Sequence, residues 1–469
     1  MPDVVHRSEV EPKGAVLISA LLGVIIAAAI ALGGEYTVFL AAALLGGLVG
    51  VLVLLRPVLL LYFVIPFSAA VSVFREVAIP IGNTDLTLSG LLWLGVDFII
   101  VLSLLIRARH LRAPRYLWPF IAFSVWVVVR WTLTPTGFLG LKDVLWYSMP
   151  VLFGLFTPLA MGNDMPMFRR RVQNIERVFL YSALIPVMIL AIALGTGLAE
   201  MTWRGPKGDL VGSARGIPLF LLTGLAVALA KWRYGPNKWL GKIFSFVTAA
   251  TIFFTLARMA SLLALGLIAL SRTNPRRKWQ ILFATSFVGL IAFYAITHIP
   301  VLQQRFFFTE DWDPSQGLRG VNTAGRNTNW PVVFLSALRS PLIGHGLGTS
   351  RQLVASVVSM RRDIDVEAYY VHNEYLGVFH DAGMVGVVTL LLAWATVLLS
   401  SWRRWEKFAH PLIAKWSMAS VLSVSSVLIS AITDNTFHYV AVCVPVIIVY
   451  SIAITLPITD SGHVGTYSS

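Results

Sequence analysis

Arg258 stands in Leu256-Ala257-Arg258-Met259-Ala260, within a long apolar stretch. A guanidinium in an apolar zone costs at least a few kcal/mol and marks a functional site by default. The alternative is a side chain that reaches out to the polar headgroups. Arginine holds phosphate with a planar, doubly donating fork and stays charged where water is scarce. Arg215, in Gly212-Ser213-Ala214-Arg215-Gly216, is a second candidate for an anion site, with anchoring at the membrane surface as its alternative. His345 lies in a Gly-rich turn, where a structural role competes with a binding one. Trp312, Trp330, Tyr369 and Tyr370 offer rings on which sugars stack, although aromatic residues also form the belt at a membrane interface. Asp311-Trp312-Asp313 and Asp363-Ile364-Asp365 have the spacing that holds Mn²⁺ and a nucleotide sugar. The same spacing is common on solvated loops, and neither a metal nor another cofactor is expected.

The elements that must position these residues follow from composition. Of 469 residues, 57% are hydrophobic and only 13% charged; mean hydropathy is +0.76. Soluble domains carry about 25% charged residues. The apolar residues lie in long runs, which excludes a soluble domain and a β-barrel. Runs fall near 15–33, 36–55, 57–74, 86–106, 116–134, 144–161, 178–197, 216–230, 243–257, 259–271, 279–298, 376–400, 412–432 and 440–457. The expected fold is an all-α polytopic bundle of about 12–14 membrane helices, one integral domain over 1–469. The first run has no small-residue cleavage site after it and reads as a retained helix. The single Cys443 excludes an internal disulfide.

The net charge of +14 reads as topology rather than as nucleic-acid binding. Five basic clusters separate apolar runs: Arg107, Arg109, Arg112 and Arg115; Arg169, Arg170, Arg171 and Arg177; Lys231, Arg233, Lys238 and Lys242; Arg272, Arg276, Arg277 and Lys278; Arg403, Arg404 and Lys407. All belong on the cytoplasmic side, and both termini follow them there. Residues 243–271 have basic clusters at both flanks, so one pass would put one cluster outside. Two passes of about 14 residues each, about 21 Å long, with a turn at Leu256-Ala257-Arg258, keep both inside. The hairpin then ends below the outer surface and presents Arg258 in a protein-lined cavity.

Residues 300–375 are the one long hydrophilic stretch, expected on the outer face. About 75 residues is too long for a bare connection. Asn329–Leu338 reads as a short amphipathic helix with Pro331 near its first turn, and Thr349–Met360 as a second. Such helices lie on the membrane or roof a cavity.

Three pieces resemble the O-antigen ligase and polymerase superfamily. The first is Gly325-Arg326 followed by Trp330, leading into Pro341-Leu342-Ile343-Gly344-His345-Gly346-Leu347-Gly348. The second is His372-Asn373-Glu374-Tyr375-Leu376 with Asp381-Ala382-Gly383-Met384-Val385-Gly386. The third is the turn at Arg258, similar to the family's Ser-Arg-Gly-Ala turn, with Ala257 where Ser is usual and Met259 where Gly is usual. The resemblance covers about residues 200–450. It implies a membrane glycosyltransferase that moves a glycan from undecaprenyl diphosphate to an acceptor sugar on the periplasmic face of the inner (cytoplasmic) membrane. The acceptor is lipid A core in ligases and a second lipid-linked glycan in polymerases. It further implies that Arg258, Arg326 and His372 are the catalytic residues and that no metal is needed. Arg215, Trp330, His345, Asn373 and Tyr375 are then candidates for substrate binding.

The chemistry suits those residue types. The leaving diphosphate gains negative charge as the glycosidic bond breaks, and two arginines would hold it. The acceptor hydroxyl must lose a proton, and an imidazole titrating at about 6.5 in water suits a general base. Direct attack inverts the anomeric centre. The alternative reading of His372 is a helix N-cap. His380 reads as packing, and Asp434 and Asn435 as sugar ligands or a helix cap. The competing class is a transporter or flippase, which predicts paired charges in mid-membrane and two related halves. Only Arg130 and Asp97 stand out within spans, and Asp97 could pair with an arginine.

Overall fold

The structure, a computed structural model, describes residues 55–70, 78–81, 84–108, 113–162, 164–197, 199–202, 205–207, 216–299, 326–359 and 370–456, with Gly50 and Gln303. The expected span 15–33, nearly all of 36–55, Arg109, Arg112, Arg215, Trp312, Gly325, Tyr369 and both aspartate pairs lie outside those residues.

Fifteen helices carry the described chain: α1 Val58–Ala70, α2 Leu88–Ile106, α3 Trp118–Leu133, α4 Phe138–Met161, α5 Met165–Ser182, α6 Leu184–Gly195, α7 Gly216–Tyr234, α8 Lys238–Phe254, α9 Arg258–Arg272, α10 Lys278–His298, α11 Arg326–Ala337, α12 Thr349–Ser359, α13 Glu374–Lys407, α14 Pro411–Ser430 and α15 Val440–Thr455. Two short antiparallel hairpins, β1 Ala78–Ile81 with β2 Thr84–Thr87 and β3 Glu200–Thr202 with β4 Gly205–Lys207, are the strands among the described residues. Among the described residues, seven stretches are long and apolar enough to cross a membrane: α3, α4, α5 with α6, α7, α10, α13 and α14. The fold is an all-α polytopic membrane bundle.

In lipid, helices associate by close packing and interhelical hydrogen bonds rather than by expulsion of water. α7, α14 and α15 form the enclosed centre. α14 is rich in serine, and Ser417, Ser420 and Ser423 are fully buried. The hydroxyls of Ser401 and Ser420 meet at 2.7 Å, joining α13 to α14. α10 is the opposite case: Ala292 is its one buried side chain, while Trp279, Phe283, Phe287 and Phe293 face outward. Such a face suits lipid contact.

The 243–271 segment breaks at the expected turn. α8 ends at Phe254, Leu256 takes φ +52°, and α9 begins at Arg258. Both far ends return to one place. Arg233, at the end of α7, donates to the carbonyls of Ser271 and Thr273 at 2.6 Å each. Trp232 beside it has its backbone against Gly241 of α8 and its ring 3.6 Å under the Arg272 guanidinium.

Contacts at that end continue through the bundle. Trp405 Nε1 donates to the Tyr234 hydroxyl at 2.9 Å, and Arg276 Nε to the Glu406 carbonyl at 3.0 Å. Lys231 and Lys415 both pair with Glu176 of α5. The basic clusters carried by α5, α7 with α8, α9 with α10, and α13 therefore gather at one end. Arg258, the start of α13 and the end of α14 lie at the other.

The Gly-rich turn and the Asp381-Gly386 segment form one unit. Gly383 interrupts α13 with φ +70° and ψ −170°. The backbone groups freed there are taken up by the turn: Met384 N–H donates to the Pro341 carbonyl at 2.8 Å, His345 N–H to that of His380 at 2.8 Å and Gly346 N–H to that of Asp381 at 2.9 Å. The Asp381 carboxylate accepts the N–H groups of Gly348 at 2.9 Å and Ser350 at 2.7 Å, and the hydroxyls of Thr349 and Ser350 at 3.0 and 2.9 Å. It thereby satisfies the first turn of α12. Trp126 and Arg130 of α3 fasten the unit by donating to the carbonyls of Ala382 (2.8 Å) and Gly344 (3.0 Å). Arg130 thus holds a turn and pairs with no carboxylate there. Asp97 is buried, and no arginine contact to it is found among the described residues.

A side chain at 383 would be strained by its left-handed backbone and would strike the Leu342 carbonyl. Gly383→Ala is therefore expected to cost about 1–3 kcal/mol, read as a lower midpoint of thermal unfolding in detergent. An unchanged midpoint would contradict the docked arrangement.

Candidate functional site

α11 and the start of α13 run side by side. Trp330 Nε1 donates to the Val371 carbonyl at 2.8 Å, and the Phe334 and Phe379 rings lie 6.2 Å apart. Between the helices is a cavity of about 660 Å³. Arg326 and Asn373, at the two helix starts, give it a polar mouth. Its walls continue along both helices as Trp330, Pro331, Phe334, Leu376, Phe379, Met384 and Val387, with Tyr375. An open groove with an arginine at one end and apolar side chains along its length suits an amphiphile with an anionic head.

Each candidate residue has a local reason for its position. α11 begins at Arg326, three residues earlier than expected, so Pro331 lies inside it rather than in its first turn. Arg326 donates to the Thr433 carbonyl at 2.7 Å, which ties α11 to the turn after α14. The N-cap of α13 is Asn373, whose Oδ1 accepts the Leu376 N–H at 3.0 Å. His372 is left outside the helix, with φ +53° and 8% of its surface exposed. Its Nδ1 lies 3.4 Å from the Asn435 amide and 3.6 Å from Asp434 Oδ1. Tyr375 bridges α13 to α14 through its hydroxyl, which donates to the Leu428 carbonyl at 2.8 Å.

The cavity brings together Arg326, Trp330, Asn373 and Tyr375, with His372 adjoining through Asn373. Arg258 lies at the same end of the bundle as the first residue of α9 but is not in the cavity wall. His345 is elsewhere: its ring stacks on His380 at 4.7 Å and its Nε2 lies 2.8 Å from the Ser336 carbonyl. His380 is packed, with Nδ1 2.8 Å from Asp381.

Sequence reasoning missed a buried quartet beneath His372. Glu374 is 1% exposed. It accepts the Tyr147 hydroxyl at 2.7 Å and the Phe437 N–H at 3.3 Å, and its Oε1 lies 2.7 Å from His438 Nδ1. His438 Nε2 is 3.2 Å from Asp143, which also pairs with Arg351. Two carboxylates and two cations thus close on each other. Burial alone would lower the His438 pKa, but Glu374 and Asp143 overcome it and push it up to about 10. The signals for this group were weak: Asp143 lies just before the expected span 144–161, Arg351 within the expected short helix Thr349–Met360, and their pairing spans 208 residues.

A histidine whose folded pKa is raised gives stability that is complete below its unfolded value, about 6.5. That stability is lost as pH rises towards 10. The thermal midpoint of the protein should therefore fall between pH 7 and pH 10 more steeply than that of His438→Gln. Parallel slopes would refute the paired, protonated state.

Comparison with curated proteins returns no match. Residues 243–391 match the family described as O-Antigen ligase. That span runs from α8 through the Arg258 turn, α11, the docked Gly-rich turn and His372 into α13. Over that span the chain is similar to the O-antigen ligase family, which supports the resemblance read from the motifs.

Proposed function

We propose that the protein is an O-antigen ligase-type glycosyltransferase. In this reading it moves a glycan from undecaprenyl diphosphate to a sugar of lipid A core on the periplasmic face of the inner membrane. The observation that carries the reading is the cavity itself: Arg326 at a polar mouth, an apolar wall descending along α13, and a buried imidazole beside the mouth. The diphosphate lies at Arg326 and the polyprenyl chain against Phe334, Phe379, Met384 and Val387. Arg258 approaches from the hairpin turn at the same end. The family match supports the class of reaction, and the gathering of basic clusters at the opposite end supports an outward-facing site.

The step is a direct displacement. The acceptor hydroxyl oxygen bonds to the anomeric carbon as the bond from that carbon to the diphosphate oxygen breaks, and the configuration inverts. The hydroxyl proton passes to His372 Nε2, while Nδ1 keeps its proton toward the Asp434 carboxylate. The electron pair leaves on the diphosphate, where Arg326 and Arg258 stabilise the growing charge; each such contact supplies about 3 kcal/mol. In this reading these roles fall to the side chains of His372, Arg326 and Arg258.

The test uses purified protein in detergent with undecaprenyl-diphosphate-linked glycan and lipid A core, without nucleotide or divalent metal. His372→Ala should lose turnover at least about 100-fold while still binding donor. Arg326→Lys, which keeps charge but loses the fork, should lose about 10-fold or more. A glycan joined to lipid A core is the predicted product; a lengthened lipid-linked glycan would make the enzyme a polymerase. Full turnover by His372→Ala would remove the base. Absence of turnover with either acceptor, together with passage of the carrier lipid across liposomes, would replace the enzyme with a transporter.

A further inference from the structure

We propose that Glu374 is a positioning residue for His372: its buried carboxylate clamps the segment that carries the imidazole to the turn that carries Asp434 and Asn435. The proposal rests on the reading of His372 as the base.

The two segments are joined at two levels. At the upper level the contacts are long: 3.4 Å from His372 Nδ1 to Asn435 and 3.6 Å to Asp434. At the lower level they are close. The Glu374 N–H donates to the Ala431 carbonyl at 2.9 Å, its Oε2 accepts the Phe437 N–H at 3.3 Å, and its Oε1 lies 2.7 Å from His438 Nδ1. Ala431, Phe437 and His438 bracket Asp434 and Asn435 in sequence, so Glu374 grips the turn on both sides of the residues that face the imidazole. The Tyr147 hydroxyl, at 2.7 Å, extends the grip to α4.

Burial and backbone strain both set Glu374 apart from a packing residue. Burying a carboxylate costs several kcal/mol before partners are counted, and an apolar side chain of similar volume would fill the space without that cost. The carboxylate does what an apolar group cannot: it accepts donors from α4 and from the 431–438 turn at once. His372 holds φ +53°, a left-handed conformation that a residue with a Cβ keeps only when its surroundings impose it. The bond two residues later, from Glu374 N–H to Ala431, is one such constraint.

A base must be held to within about 0.5 Å of its productive position. With upper contacts already at 3.4 and 3.6 Å, a small drift of the turn would separate Asp434 and Asn435 from the ring. The imidazole would then lose both its orientation and its fixed tautomer, while the donor cavity between α11 and α13 would keep its shape.

The experiment compares full-length Glu374→Ala and Glu374→Gln in the ligation assay. Glutamine retains an acceptor for Phe437 N–H and a partner for the Tyr147 hydroxyl. Glu374→Ala should lose about 10- to 100-fold in kcat, the scale of a misplacement of about 1 Å, with donor KM changed less than about twofold. Glu374→Gln should recover kcat to within about threefold of wild type. The second readout needs no turnover: the ¹⁵N imidazole signals of His372, identified by their loss in His372→Ala, should move in Glu374→Ala and lie near the wild-type position in Glu374→Gln. An unchanged kcat or unmoved imidazole signals in Glu374→Ala would overturn the clamp, as would equal losses in both variants. Should Glu374→Ala fail to fold, Glu374→Gln decides alone: wild-type imidazole signals support the clamp and displaced ones overturn it. If His372→Ala retains full turnover, the base reading falls, whereas the imidazole signals still show whether Glu374 holds that residue.

Discussion

A carboxylate placed inside an apolar bundle must bring its partners with it, and two of them organise this site. Glu374 and Asp381 both lie before the break in α13 at Gly383. Each is buried, and each draws polar groups from distant parts of the chain. Asp381 collects the Gly-rich turn and the first turn of α12. Glu374 collects α4 and the turn between α14 and α15. Unpaired, either charge would destabilise the fold by several kcal/mol. Paired, they fix where the long hydrophilic segment docks, and hence where Arg326 and His372 stand.

The same economy of charge divides the molecule lengthwise. At one end, arginines and lysines dominate and are absorbed by backbone carbonyls, by Glu176 and by aromatic rings, as with Arg233 and Arg272. At the other end the charges are mixed, with Glu374 and Asp143 set against His438 and Arg351. Between them the helices pack large apolar side chains, with buried serines concentrated on α14. The end that carries the candidate site is therefore an exception built on a regular scaffold. Its helices are short or broken, its backbone takes left-handed turns at Leu256, His372 and Gly383, and its polar groups come from segments far apart in sequence.

Much of this was legible in the sequence. Long apolar runs gave the membrane class. Basic flanks on both sides of 243–271 gave a hairpin that the structure turns at Leu256, and hydrophobic spacing gave α11 and α12 to within a few residues. The pieces around Arg326, the Gly-rich turn and His372 marked the candidate region because they are local. What escaped was non-local. Asp143, Arg351, Glu374 and His438 come from four elements, and no spacing rule connects a carboxylate in α4 to an arginine 208 residues later. Asn373 proved to be the helix cap that His372 was weighed as, a matter of one residue in cap geometry.

The central claim is that the end of the bundle carrying Arg326 and His372 faces away from the cytoplasm. It is tested most directly by thiol labelling in a Cys443→Ser background, which removes the single buried native thiol. Arg339→Cys, on the exposed turn after α11, and Lys407→Cys, at the opposite end of α13, mark the two ends. In spheroplasts, a membrane-impermeant maleimide should label Arg339→Cys and leave Lys407→Cys unlabelled until the membrane is opened. The reverse pattern would put the candidate site in the cytoplasm and contradict the account.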